Sequence, residues 1–324
     1  DNGRAAYDEI PKAIQDEVFA GTKAFVKENK GRYDCYGYIY SGEGQELGQF
    51  YAKLAVGNGK IQKSSSNTGI TESNDCYSIT GATYGVYADK SCKEQLATLT
   101  TDNSGSTETV ELKAATYYVK ETKAPKGFQL DKNVYTLTVK AGETATLKVS
   151  DTPKVTDTLI ELFKIDMETS KADPQGNASL EDAEFVWKYY DGYYTKDNLP
   201  AEPTRTWTTK TKAEKGSDNA IHYITRLADS YKVSGDSFYT QNGTVCLPLG
   251  TITVEEKSAP NGYLLEGAYM QAAGSSEQIK GLYVAQITED GELAVLSGSN
   301  QYSVSDKVIR CLLYTSDAAD EARS

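Results

Sequence analysis

The sequence is poor in the residues that most often do chemistry or cross membranes. It holds one histidine (His222), two methionines, two tryptophans and eight prolines in 324 residues. One histidine and no Cys/His cluster exclude a zinc site of the usual kind, and nothing in the pattern asks for another metal or cofactor. No apolar run is long enough for a membrane helix. Positive charge is also in deficit, with 34 Lys and Arg against 46 Asp and Glu, a net charge of −12. Such an acidic chain repels phosphate backbones and anionic headgroups, which sets nucleic acid and membrane surfaces aside as partners. Cys35, Cys76, Cys92 and Cys246 are too few and too scattered for a disulfide framework. Cys76 and Cys92, which flank one expected strand, are the candidate pair in an exported protein. The chain begins at Asp1 and its methionines are Met167 and Met270. The expectation is a piece of a longer protein, with any signal peptide or C-terminal anchor outside it.

Tyrosine is abundant, 24 against 7 phenylalanines, and short strand-like runs are frequent. Residues 1–58 predict a helix with Pro11 in its first turn, Ile14, Val18 and Phe25 on one face, and a stop at Lys30-Gly31-Arg32. Strand-like runs at 33–40 and 47–54 follow, joined by Ser41-Gly42-Glu43-Gly44. This block reads as incomplete α+β. Residues 59–154 read as all-β, with period-2 strands over 116–121 and 144–151 at the spacing of a sandwich. Residues 155–310 repeat the pattern with longer loops. Ile79-Thr80-Gly81-Ala82-Thr83-Tyr84 matches Leu180-Glu181-Asp182-Ala183-Glu184-Phe185. The run Thr116 to Phe128 matches Thr251 to Tyr263, with Glu121 over Glu256, and Val149-Ser150-Asp151 matches Val304-Ser305-Asp306. The extra length of the second copy falls mostly in residues 188–217, read as a loop or hairpin insertion.

Certain charges point the wrong way. Residues two apart on a strand share a face. Tyr117 and Val119 therefore share theirs with Glu121, Ile252 and Val254 with Glu256, and Leu147 and Val149 with Asp151. Tyr302 and Val304 line up with Asp306. Lys63 continues the stripe of Ile61, and Lys164 that of Ile160 and Leu162. One such charge alone would be a side chain reaching water at a strand end. Three types repeated in order in both copies predict a buried Lys–Glu–Asp triad. Buried charges are costly unless paired, and they can react. Desolvation favours the neutral amine and the protonated carboxyl. The amine can then attack the carboxyl while a second carboxylate carries protons. The product is an amide joining the first and last strands, with loss of water.

The segment Tyr117 to Phe128, with Glu121-Thr122-Lys123-Ala124-Pro125 at its centre, resembles the E-box of Cna-B/SpaA-type domains. These are the immunoglobulin-like, transthyretin-like modules of Gram-positive surface adhesins and pilins. Ala82-Thr83-Tyr84-Gly85-Val86-Tyr87 and Leu162-Phe163-Lys164-Ile165-Asp166 resemble that family's early strands. The resemblance covers about residues 59–310. It implies two tandem β-sandwiches, over 59–154 and 155–310, in a mainly β chain. It also implies intramolecular isopeptide bonds Lys63–Asp151 and Lys164–Asp306, with Glu121 and Glu256 as proton relays and no cofactor. Asparagine is the family's commoner acceptor, whereas both acceptors here are aspartate. The implied role is a structural stalk of an extracellular, cell-wall-anchored adhesin, not an enzyme. The implied partners are peptidoglycan, through a sortase signal outside the fragment, and a host or neighbouring-cell protein or glycan, through a missing head domain.

Two alternatives stay open at this point. One is a carbohydrate-binding accessory module of a surface glycosidase, with Trp187, Tyr190 and Trp207 stacking on sugars. The other is a pilus subunit, although no Tyr-Pro-Lys-type pilin motif supplies a sortase-reactive lysine. Residues 311–324, beginning Cys311-Leu312-Leu313-Tyr314-Thr315, continue neither strand pattern nor repeat. They resemble the translation of an adapter used in shotgun sequencing libraries, with Arg310 about the last native residue. Such a tail is expected to pack on nothing.

Overall fold

The structure, a computed structural model, describes residues 12–28, 33–42, 45–156, 160–272, 274–290, 293–297, 300–304 and 308–315. The chain is mainly β and divides into two compact units. The first comprises residues 1–64, 79–124 and 130–150, the second residues 65–78, 125–129 and 151–324.

The first unit opens with helix α1 (Lys12–Glu28) and the strands β1 (Tyr33–Gly42) and β2 (Gln45–Leu54). Ile14, expected on one helix face with Val18 and Phe25, is half exposed. The hairpin pairs antiparallel from Tyr33↔Leu54 to Gly42↔Gln45, so both strands run closer to the turn than their apolar runs suggest. Then come β3 (Val56–Ser65), β4 (Thr83–Tyr87), β5 (Gln95–Thr100), β6 (Val110–Lys113), β7 (Ala115–Lys123), β8 (Val134–Val139) and β9 (Thr144–Asp151). They form one sheet in the order β6-β3-β9 and another in the order β5-β4-β7-β8. Alternation along each strand sends Ile61, Leu112 and Val149 of the first sheet, and Tyr84, Val86, Val119, Leu137 and Val139 of the second, into one core. That is a β-sandwich. Gly57 is required where the turn after β8 closes on β3. A Cβ there would lie 2.0 Å from the Lys140 carbonyl oxygen, and Asn58 N–H already donates to Glu143 O at 2.8 Å. Only glycine leaves that room.

Among the described residues, the second unit contains the single turn α2 (Thr68–Thr71) and sixteen strands. These are β10 (Val155–Thr156), β11 (Glu161–Asp166), β12 (Glu184–Tyr190), β13 (Arg205–Lys210), β14 (Lys212–Lys215), β15 (Ile221–Thr225), β16 (Lys232–Gly235), β17 (Tyr239–Gln241), β18 (Thr244–Pro248), β19 (Gly250–Ser258), β20 (Tyr263–Ala272), β21 (Ile279–Lys280), β22 (Tyr283–Ile287), β23 (Leu293–Ser297), β24 (Asn300–Val304) and β25 (Val308–Thr315). The sheets run β16-β13-β12-β19-β22-β23-β24, β14-β15-β11-β25-β20-β21 and β10-β18-β17. Inside them the plan of the first unit recurs. The run β13-β12-β19-β22 corresponds to β5-β4-β7-β8, and β15-β11-β25 to β6-β3-β9. A β-bulge interrupts both central pairings at the same place, between Thr83 and Tyr84 on β4 and between Glu184 and Phe185 on β12.

Three expectations are corrected. First, Trp187, Tyr190 and Trp207 are not a sugar platform. Both tryptophans are fully buried and Tyr190 is 5% exposed. The insertion forms the β12–β13 hairpin with Trp187 opposite Trp207, and Trp207 stacks on Phe238 at 5.7 Å. Large aromatic area is better spent in the core than on solvent. Second, Cys76 and Cys92 are both free thiols. Cys76 is enclosed, and burial above all pushes its thiol up to about 11. Cys92 sits half-buried in a turn at φ +53°, its Sγ directed to the Lys90 carbonyl. Third, the tail packs. Residues 308–315 form β25, parallel to β11 from Glu161↔Val308 to Asp166↔Leu313 and antiparallel to β20. Ile309, Cys311 and Leu313 are completely buried. They alternate as a strand requires, and that periodicity was hidden by the absence of a repeat.

The buried hydroxyl of Thr209 accepts hydrogen bonds from Trp187 Nε1 and Thr225 Oγ1, each at 2.8 Å. Thr209→Val keeps the shape and strands both donors. A loss of about 1–3 kcal/mol is expected for the second unit, read as a lower urea midpoint, whereas an unchanged midpoint would contradict the assignment.

Candidate functional site

Strand alternation builds the site. On β3 the inward positions are Gly57, Gly59, Ile61 and Lys63, on β7 Tyr117, Val119 and Glu121, and on β9 Val149 and then Asp151. Lys63 and Glu121 are each 1% exposed and Asp151 2%. Lys63 Nζ donates to Glu121 Oε1 at 2.9 Å and to Tyr84 Oη at 2.9 Å. The other carboxylate oxygen, Glu121 Oε2, accepts the backbone N–H of Asp131 at 2.8 Å. Both oxygens of Glu121 are therefore occupied, which is what allows a carboxylate to be buried. β9 lies beside β3, and Ser64 Oγ donates to Val149 O at 3.3 Å. Asp151 ends that strand, its carbonyl accepting Ser66 N–H at 2.9 Å.

The second unit sets Leu162, Lys164 and Asp166 inward on β11, and Ile252, Val254 and Glu256 inward on β19. Lys164 Nζ donates to Glu256 Oε2 at 2.6 Å, with both side chains buried. Asp166, on the same face of β11, takes no part. Its carboxylate accepts the N–H groups of Glu168 and Thr169, the Gln175 amide and the Tyr263 hydroxyl. These bonds hold its pKa below the usual carboxylate range against the opposing effect of burial. The residue in register with Lys164 on the neighbouring strand is Cys311. Lys164 Nζ donates to its Sγ at 3.3 Å, and the thiol donates to Glu256 Oε2 at 3.2 Å. Burial pushes this thiol far above its ordinary range, with Lys164 pulling the other way. Asp306 lies outside the described residues.

Two residues of these sites escaped the sequence reading. Tyr84 appeared there only as one end of a repeat, and Cys311 as part of a foreign tail. The signal for Tyr84 was the aromatic shared with Phe185 in that repeat. His222 is partly exposed and bonded to Asp218 at 3.0 Å. Among the described residues no cluster of His, Cys, Asp or Glu could hold a metal ion, and no helix is long and apolar enough to cross a membrane.

The Lys164–Glu256 pair gives a direct energetic check. Glu256→Leu leaves a buried ammonium without its carboxylate and is expected to cost about 3–5 kcal/mol, with most of that recovered in Lys164→Met/Glu256→Leu. Urea unfolding of the double-mutant cycle measures it, and simple additivity would contradict a coupled buried pair.

Residues 60–153 match the family described as the SpaA prealbumin-like fold domain. No curated protein matches the chain in sequence. Among solved structures, the Bacillus anthracis TIE protein is 16% identical at a TM-score of 0.38, over 87% of this chain and 58% of that one. The C-terminal fragment of the pilus adhesin SpaC from Lactobacillus rhamnosus GG is 15% identical at a TM-score of 0.39, over 80% of this chain and 97% of that one. BcpA, the major pilin subunit of Bacillus cereus, is 12% identical at a TM-score of 0.28, over 80% and 99%. The residues that match this family model contain Lys63, Tyr84, Glu121 and Asp151.

Proposed function

We propose that this chain is a stalk segment of an extracellular bacterial surface protein, and that its first sandwich closes itself with an amide between Lys63 and Asp151. The observation that carries this is the fully buried Lys63–Glu121 pair at 2.9 Å, with Asp151 buried at the end of the strand beside β3. The chemistry is a condensation. Glu121 takes a proton from the Lys63 ammonium, and the free amine attacks the protonated Asp151 carboxyl. The N–C bond forms, Glu121 returns its proton to the hydroxyl, the C–OH bond breaks and water leaves, and Glu121 then takes the second proton from the nitrogen, so the neutral amide forms and Glu121 ends protonated. No cofactor is needed. Removal of the product water and enclosure of the reactants favour the amide in a site closed to solvent.

The benefit is mechanical and thermodynamic. β3 opens the domain and β9 closes it, so a pull on the chain first loads those two strands. An amide between them carries that load through a covalent bond. By the chain-entropy argument used for disulfides, closing a loop of this length adds about 4–5 kcal/mol. In this role the protein displays an adhesive head and is itself tied to peptidoglycan through a sortase signal, both outside the present chain. The second unit supports the proposal less well, because the position beside Lys164 is held by Cys311, and a thiol has no carboxyl to condense.

Intact-mass measurement of the purified chain should show one water, about 18 Da, less than the sequence mass, and Glu121→Ala should restore it. The same variant should lose about 4–5 kcal/mol of stability beyond the cost of the lost ion pair. A folded wild-type chain at full sequence mass contradicts the proposal.

A further inference from the structure

The two units put the same kind of ring in the same place, but only one ring carries a hydroxyl. Tyr84 is the cross-strand partner of Glu121 between β4 and β7, and Phe185 is that of Glu256 between β12 and β19. In each unit the bulge immediately precedes the aromatic residue, so the local twist aims ring and glutamate at one point. The lysine nitrogen lies 5.4 Å from the Tyr84 ring centroid and 5.5 Å from that of Phe185. The two rings thus stand at nearly the same distance from the two ammonium groups. What differs is the Tyr84 hydroxyl, which accepts from Lys63 Nζ at 2.9 Å in a site where Tyr84 is 1% exposed.

Resting on the amide proposed above, we infer that Tyr84 is a positioning residue for the Lys63 amine. A lysine nitrogen at the end of four methylenes can swing and rotate. Held at Glu121 Oε1 and at Tyr84 Oη, it has two fixed anchor points. Once Glu121 removes a proton, the bond to Tyr84 keeps the two remaining N–H bonds and the lone pair from rotating freely. Alignment of that kind converts an encounter into a reaction-ready geometry, and losing it costs about ten- to a hundredfold in rate. Tyr84 gives up no proton and forms no bond to carbon. Toward Lys63 its hydroxyl acts as an acceptor.

The test follows amide formation in the full chain, recovered unfolded and uncross-linked from inclusion bodies and then refolded. Mass loss of one water is followed in time beside recovery of the circular dichroism signal. Tyr84→Phe is expected to regain its fold on the wild-type timescale but to lose water about ten- to a hundredfold more slowly. The pH dependence of its rate should keep the wild-type shape, because the proton acceptor Glu121 is intact, whereas Glu121→Gln should abolish the reaction. Equal rates in wild type and Tyr84→Phe overturn the role of the hydroxyl and leave the amide standing. Refolding slowed in step with water loss also overturns it, since the hydroxyl would then serve only the fold. A refolded wild type that loses no water overturns the amide itself and this inference with it.

Discussion

Everything distinctive about the first sandwich depends on one buried ion pair, Lys63 with Glu121. A β-sandwich core has no place for a charge unless another charge meets it there. Lys63 comes from the sheet β6-β3-β9 and Glu121 from β5-β4-β7-β8, so the pair crosses the layer that apolar side chains otherwise fill. Meeting that demand fixes more than two residues. Glu121 also needs the Asp131 N–H, which ties down the loop between β7 and β8. Lys63 also needs Tyr84, which ties in β4. The charges thus tie together side chains of three strands, β3, β4 and β7.

The second unit shows the same demand met differently. Lys164 and Glu256 repeat the pair, and Phe185 repeats the ring without its hydroxyl. The thiol of Cys311 donates to the Glu256 carboxylate and accepts from Lys164, closing a three-membered polar cluster in the core. One oxygen of that carboxylate, Glu256 Oε1, stays without a hydrogen-bond partner among the described residues, and the position beside Lys164 holds a thiol in place of a second carboxyl. The strand that carries Cys311 fills the slot between β11 and β20, because its apolar residues alternate correctly, whatever the origin of those residues.

The legible part of the sequence was the part governed by period two. Lys63, Glu121, Asp151, Lys164 and Glu256 could each be assigned to an inward face from their neighbours alone, and all are buried. Strand existence was equally legible, as with β9 over Thr144–Asp151. What alternation cannot show is which residue stands opposite on another strand. Tyr84 and Cys311 were missed for that reason, since their roles follow from registers Tyr84↔Glu121 and Lys164↔Cys311. Trp187 and Trp207 were misjudged because clustered aromatics look alike whether they face water or core. Here the hairpin that carries them folds its rings inward. The proposed pairing of Cys76 with Cys92 failed because closeness along a chain says nothing of where each thiol points.

The most direct test of the central claim is to digest the purified wild-type chain with trypsin and sequence the peptides by tandem mass spectrometry. The account predicts a branched peptide in which the Lys63 side chain is joined to the Asp151 side chain with one water missing, and no such species from Glu121→Ala. Recovery of the Lys63 and Asp151 peptides only as separate, unmodified species from folded wild-type protein would contradict it.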